Sequence, residues 1–107
     1  MTTLAENPID LTATAAGLTP WRSLALGKVG PACVKVLRMD GLPLVEERHD
    51  TTEALLVLDG RLELLVAGRP LTVNAGELHL VPAGTAHAVR PGSSGTLVIV
   101  EVEEDGS

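Results

Sequence analysis

Two imidazoles and two carboxylates in this chain are spaced as a ligand set would be. Glu47, His49 and Glu53 lie in the run Gly41-x5-Glu47-x-His49-x3-Glu53-x6-Gly60, and His87 ends a second run, Gly76-x5-Pro82-x-Gly84-x2-His87. Glu47 and His49 are two residues apart, so on a strand their side chains share a face. Glu53 opens the next apolar run, and the break at Pro82-Ala83-Gly84 would aim His87 back into the same space. Neutral imidazole nitrogen together with carboxylate oxygen suits a divalent first-row ion such as Mn, Fe, Ni, Co or Zn. Two histidines and one carboxylate leave positions open for a small molecule, with Glu47 as a fourth donor.

Such a site needs strands and tight turns. Ala32–Met39 and Leu44 to about His49 read as strands, separated by Asp40-Gly41. Glu53–Leu58, Asp59-Gly60 and Arg61–Val66 read as a hairpin, because Asp-Gly between two β-rich runs favours a turn whose twist suits its strands. Ala67-Gly68-Arg69-Pro70 turns the chain again, Glu77–Val81 follows Gly76, and His87–Arg90 and Thr96–Val102 are the last strands. Many short strands with Gly/Pro turns and no sustained apolar stripe at helical spacing indicate an all-β sandwich or barrel. Leu97-Val98-Ile99-Val100 is apolar at consecutive positions, so both faces of that strand avoid water, one of them covered by another element or another subunit, and a homodimer is expected. Residues 1–19, punctuated by Pro8 and Gly17, read as an N-terminal arm or short helical turn, 20–103 as the barrel domain and 104–107 as an acidic tail.

Composition narrows the function classes. A chain of 107 residues is one domain, 45% hydrophobic, with Trp21 as its single aromatic residue, so the core is aliphatic. The net charge of −6 and the lack of a basic cluster argue against nucleic-acid or anionic-membrane partners. Much of the acidity gathers in Glu101-Val102-Glu103-Glu104-Asp105, which reads as a solvated end. A lone Cys33 fits a reducing compartment, and no apolar stretch approaches the roughly 20 residues of a membrane span; a cytoplasmic protein is expected.

The paired motifs resemble those of the cupin superfamily, G-x5-H-x-H-x3,4-E-x6-G and G-x5-P-x-G-x2-H-x3-N. Gly41, His49, Glu53 and Gly60 match the first, and Gly76, Pro82, Gly84 and His87 the second. The resemblance implies a small jelly-roll β-barrel (a double-stranded β-helix of the RmlC-like kind) whose mouth holds a metal through His49, Glu53 and His87. Glu47 stands where the family has its first histidine, and Pro91 where it has asparagine. Glutamate for histidine keeps a donor but adds negative charge, which favours harder ions. A second register, with four residues before Glu53, puts Arg48 in the ligand place. Arginine stays protonated and cannot ligate, so that register gives a metal-free Arg48–Glu53 pair beside His87.

Function stays open between classes. The resemblance implies either a metal-dependent enzyme of dioxygenase, isomerase or decarboxylase type, or a non-catalytic small-molecule-binding protein, or a metal-free structural or regulatory dimer. Arg38, Lys35 and Arg90 are the candidates for orienting a small-molecule ligand, and no tyrosine is available as a proton donor. His79, between Leu78 and Leu80 on a strand, reads as structural, and no catalytic residue is assigned.

Overall fold

The structure is a computed structural model that describes residues 7–42 and 44–102, the side chains of 44–47 excepted. Helix α1 (Leu11–Ala16) is followed by eight strands: β1 (Leu24–Val29), β2 (Ala32–Asp40), β3 (Leu44–Glu47), β4 (Glu53–Val66), β5 (Arg69–Asn74), β6 (Leu78–Val81), β7 (His87–Val89) and β8 (Ser94–Val102). They form one antiparallel sheet in the order β1-β2-β8-β4-β7-β3, with β5 and β6 also paired to β4. The sheet curls around a core of Leu37, Met39, Leu55, Val57, Leu62, Leu64, Val73, Val81 and Leu97. This is the small jelly-roll barrel that the motif resemblance implies.

β4 is the member that shapes the barrel, and it corrects one reading of the sequence. Asp59-Gly60 does not reverse the chain. The strand runs through it for 14 residues, pairing with β8 from Glu53 to Arg61 across an irregularity between Val57 and Asp59. The inward positions are Leu55 and Val57 before this point but Leu62 and Leu64 after it, so the parity has changed by one. That is the mark of a β-bulge, which inserts a residue and bends the strand. A hairpin turn and a bulge both need a glycine with positive φ, and the local sequence does not separate them. Gly60 has φ 74° and faces Gly95, with φ 103°, across the ladder. The true hairpin comes later, where Ala67 and Gly68, both with positive φ, join β4 to β5 in a two-residue turn.

The outer face of β2 and β8 is covered from within the chain. Asp10 caps α1, its carboxylate accepting from the Ala13 backbone N–H at 3.0 Å, and Ala15 then packs on Val36 and Val98. Val98 thus finds its apolar partner in the N-terminal segment, while Leu97 and Ile99 face the interior. The two-sided apolar run of β8 therefore needs no second subunit to cover Val98.

The bulge makes a testable demand. A Cβ on Gly60 would lie 1.9 Å from the Ser94 carbonyl oxygen, whereas Gly27 has nothing within 4 Å. Gly60→Ala should destabilise the protein by more than about 2 kcal/mol, through a backbone clash at a positive φ. Gly27→Ala should change the denaturation midpoint little. Equal midpoints for the two variants in urea titrations would contradict this account of β4.

Candidate metal centre

Turns set the site before any side chain does. The Pro82-Ala83-Gly84 turn between β6 and β7 reverses the chain, and the Gly84 N–H donates to the His49 carbonyl at 2.7 Å. One turn of the second motif therefore pins the loop of the first. Glu53, the opening residue of β4, lies opposite Val81 on one side and Glu101 on the other. His87 opens β7, opposite Val66 of β4 and Glu47 of β3.

These elements bring His49, Glu53 and His87 together, with one ligand atom from each lying within 4.8 Å of the others. Glu53 and His87 are 7% and 6% exposed, and His87 Nε2 is 3.3 Å from Glu53 Oε1. The His49 and His87 ring centroids are 5.5 Å apart. His87 Nδ1 lies 3.2 Å from the Thr85 carbonyl oxygen, which can only accept, so Nδ1 carries the hydrogen. In the neutral ring, Nε2 then presents a lone pair toward a carboxylate oxygen. This contact lies inside an aliphatic barrel, and a proton or a metal cation between the two atoms satisfies it. Donors about 2.1 Å from one ion stand about 3.4 Å apart in a tetrahedral site, so the trio would close by up to about 1.4 Å to hold one. The donor set fits a divalent ion.

The trio opens on a cavity of about 220 Å³. Its walls include Leu37, Leu55, Leu62, Leu64, Val89 and Ile99, with Trp21 as the aromatic side. Trp21 is anchored there: its backbone N–H donates to the Arg38 carbonyl at 2.8 Å, and its indole N–H donates to the Asp40 carboxylate.

Of the residues singled out from sequence, His49 lines the cavity, whereas Arg48 is exposed and lies outside the lining. Glu47 stands opposite His87 in the strand register, but its side chain lies outside the described residues. Arg38 is used elsewhere, its Nε–H donating to the Leu18 carbonyl at 3.0 Å, and neither it nor Arg90 reaches the lining. His79 sits opposite Leu55 on β6, outside the lining.

Glu101 is the correction. It lies on the last strand, as the reading of Thr96–Val102 expects, but it is not a solvated end: it lines the cavity, lies opposite Glu53, with which it shares a hydrogen-bonding proton, and accepts from Lys35 Nζ at 2.9 Å. The signal was present as Leu97-x-Ile99-x-Glu101, one face of a strand at period two, hidden by the acidic residues that follow. Burial alone would raise the Glu101 carboxyl. Its hydrogen bonds to Glu53 and Lys35, with the charges of Lys35 and His49, outweigh burial and hold it below the usual 4.5.

Residues 41–103 match the family described as Cupin domain. The chain belongs to the cupin family. Within this cupin, 60 residues are 40% identical to quercetin 2,3-dioxygenase of Bacillus subtilis (strain 168); the match takes in 56% of the chain and 18% of that enzyme. The chain thus spans less than a fifth of that relative's length. A cupin-2 domain protein from Shewanella frigidimarina NCIMB 400 superposes with a TM-score of 0.82 at 19% identity, over 95% of this chain and all of the other. Hydroquinone 1,2-dioxygenase PnpCD, solved in complex with Cd2+ and 4-hydroxybenzonitrile, superposes with a TM-score of 0.73 at 17% identity, over 87% of this chain and 71% of that one.

The lowered Glu101 carboxyl has a consequence for acid stability. A group whose folded pKa is depressed contributes stability above its unfolded value, and that contribution is lost as pH falls through the folded value. Lys35→Met removes the cation that holds Glu101 ionised. In the presence of chelator, the variant should begin to unfold at higher pH than the wild type in a circular-dichroism titration, with the two stabilities converging at pH values well under 4.5. Acid-unfolding curves that superimpose would refute the assignment.

Proposed function

We propose that this cupin holds one divalent metal ion through His49, Glu53 and His87 and binds a small organic molecule against it. The observation that carries this reading is the 3.3 Å approach of His87 Nε2 to Glu53 Oε1, with Nδ1 already committed to the Thr85 carbonyl. When bound, the ion would act as a Lewis acid toward an oxygen of the ligand. The chain's own residues do the rest. Thr85 fixes the His87 ring, Gly84 holds the His49 loop, and the aliphatic wall excludes water around the polar end.

The cavity limits the ligand. At about 220 Å³ it is somewhat larger than the 150 Å³ or so that accommodates benzene in an engineered core, so a single-ring molecule suits it. Trp21 offers a flat wall for such a ring. A dioxygenase-type reaction is the first activity to assay, given the 40% identity to an enzyme of that type. One observation favours binding without turnover: the ionisable groups in the lining are His49, Glu53, His87 and Glu101, all in the cluster itself. Buried, free Cys33 suits the reducing cytoplasm.

Elemental analysis after dialysis should find close to one divalent ion per chain. His49→Ala and His87→Ala should each lose most of it, while Arg48→Ala retains it. Full metal content in both histidine variants would refute the site. With the metal-loaded protein, 4-hydroxybenzonitrile should quench Trp21 fluorescence saturably, and oxygen uptake with phenolic substrates then separates the enzyme from the binding protein.

A second copy of the chain is the proposed partner. Leu78 and Leu80, 60% and 53% exposed, extend the apolar outer row of Leu56 and Ala54 across the β4–β6 pair. Light scattering should give twice the 11.1 kDa chain mass, and Leu80→Lys should halve it. A wild-type mass of one chain would rule the dimer out.

A further inference from the structure

Lys35, Glu101 and Glu53 form a polar relay across three neighbouring strands. Lys35 lies on β2, two pairs along from Cys33, the register partner of Glu101 on β8, and Glu101 lies directly opposite Glu53 on β4. Opposed and diagonal residues on one face of an antiparallel sheet are the pairs that meet. Lys35 Nζ donates to Glu101 Oε2 at 2.9 Å, and Glu101 lies directly opposite Glu53 and shares one proton with it in a carboxyl–carboxylate hydrogen bond, while Glu53 Oε1 faces His87. The ammonium and the carboxylate are 18% and 19% exposed, so most of their hydration has been removed.

A half-buried ion pair is a weak source of net stability, because desolvation offsets most of the Coulomb attraction. Nor is this one needed to join its strands, since β2 and β8 already pair without interruption from Ala32–Val102 to Asp40–Ser94. What the pair does reach is the carboxylate of the trio. A ligating glutamate uses one oxygen on the ion, and its remaining freedom is removed only if another group holds the carboxyl in place.

Resting on the metal reading above, we infer that Glu101, tethered by Lys35, is a positioning residue that fixes the Glu53 carboxyl toward His49 and His87. Glu101 stands outside the trio whose donors converge, and it acts through Glu53. The pair takes the place of a backbone or amide partner with two side chains from strands remote in sequence. It also sets the sign of a simple test. If Lys35 mattered only as a charge near a cation, its removal would tighten metal binding. As the tether of Glu101, its removal must weaken it.

The experiment is a cobalt titration of the intact protein, read both as affinity by calorimetry and as the visible ligand-field spectrum. Glu101→Ala should weaken Co2+ binding by roughly 10- to 100-fold, the range typical of lost outer partners, and shift the spectrum. Glu101→Gln, which can still accept from Lys35 and donate an amide N–H to Glu53, should keep both within about threefold of wild type. Lys35→Met should fall between the two. Thermal melts of the apo-proteins identify any variant that fails to fold, and the glutamine variant then carries the comparison. Unchanged affinity and spectrum in Glu101→Ala, or tighter binding in Lys35→Met, would overturn the inference while wild-type binding left the metal reading intact. Wild-type protein that takes up no Co2+ would overturn both.

Discussion

A buried carboxylate oxygen lies 3.3 Å from a buried imidazole nitrogen whose ring is already oriented by a backbone carbonyl, and much of the barrel is arranged to permit that contact. Placing either group in an aliphatic interior is unfavourable unless charge and hydrogen bonds are balanced locally. The balance here comes from several directions. Thr85 takes the far nitrogen of His87, Glu101 meets Glu53, and Lys35 supplies the positive charge behind Glu101. His49 approaches from a loop held by Gly84. The polar end of the cavity is thus a connected network, and the remaining wall is hydrocarbon and one indole.

The scaffold explains why these groups can meet. β4 bends at its bulge and serves two halves of the sheet, pairing with β8 and β6 through its first part and with β5 and β7 through its second. Glu53 at one end therefore shares a strand with Leu62 and Leu64, which close the same cavity from further along. Moving the inward register by a single residue would turn Glu53 outward and remove the carboxylate from the site. The close approach of Gly60 and Gly95 is what allows the strand to change parity without breaking its ladder.

Much of this was legible in the sequence where turn chemistry and spacing act together. The two glycine- and proline-framed runs placed His49, Glu53 and His87 on elements that converge, because such turns leave the following strand few directions. An aliphatic core followed from the near absence of aromatic side chains, and an all-β sandwich or barrel from the short strands, while the resemblance of the two motifs chose the barrel. Legibility failed where one local signal serves two structures. Asp59-Gly60 reads equally as a hairpin turn or as a bulge, and only pairing with β8 decides it. It failed again where a pairing joins distant segments, since Lys35 and Glu101 are 66 residues apart and no local pattern announces their register. Glu101 itself was disguised by its neighbours: the period-two face of β8 runs into an acidic end, and composition drew the reading toward solvent. The second apolar face of Leu97–Val100 calls for another element or another subunit, and at Val98 it is an element of the same chain, Ala15 of α1, that covers it.

An anomalous difference map from a crystal of the cobalt-loaded protein, collected at the cobalt edge, would locate the ion itself. One strong peak is expected between the side chains of His49, Glu53 and His87, at bonding distance from all three. A map with no peak there, with His87 and Glu53 still in direct contact and cobalt bound elsewhere, would contradict the metal reading.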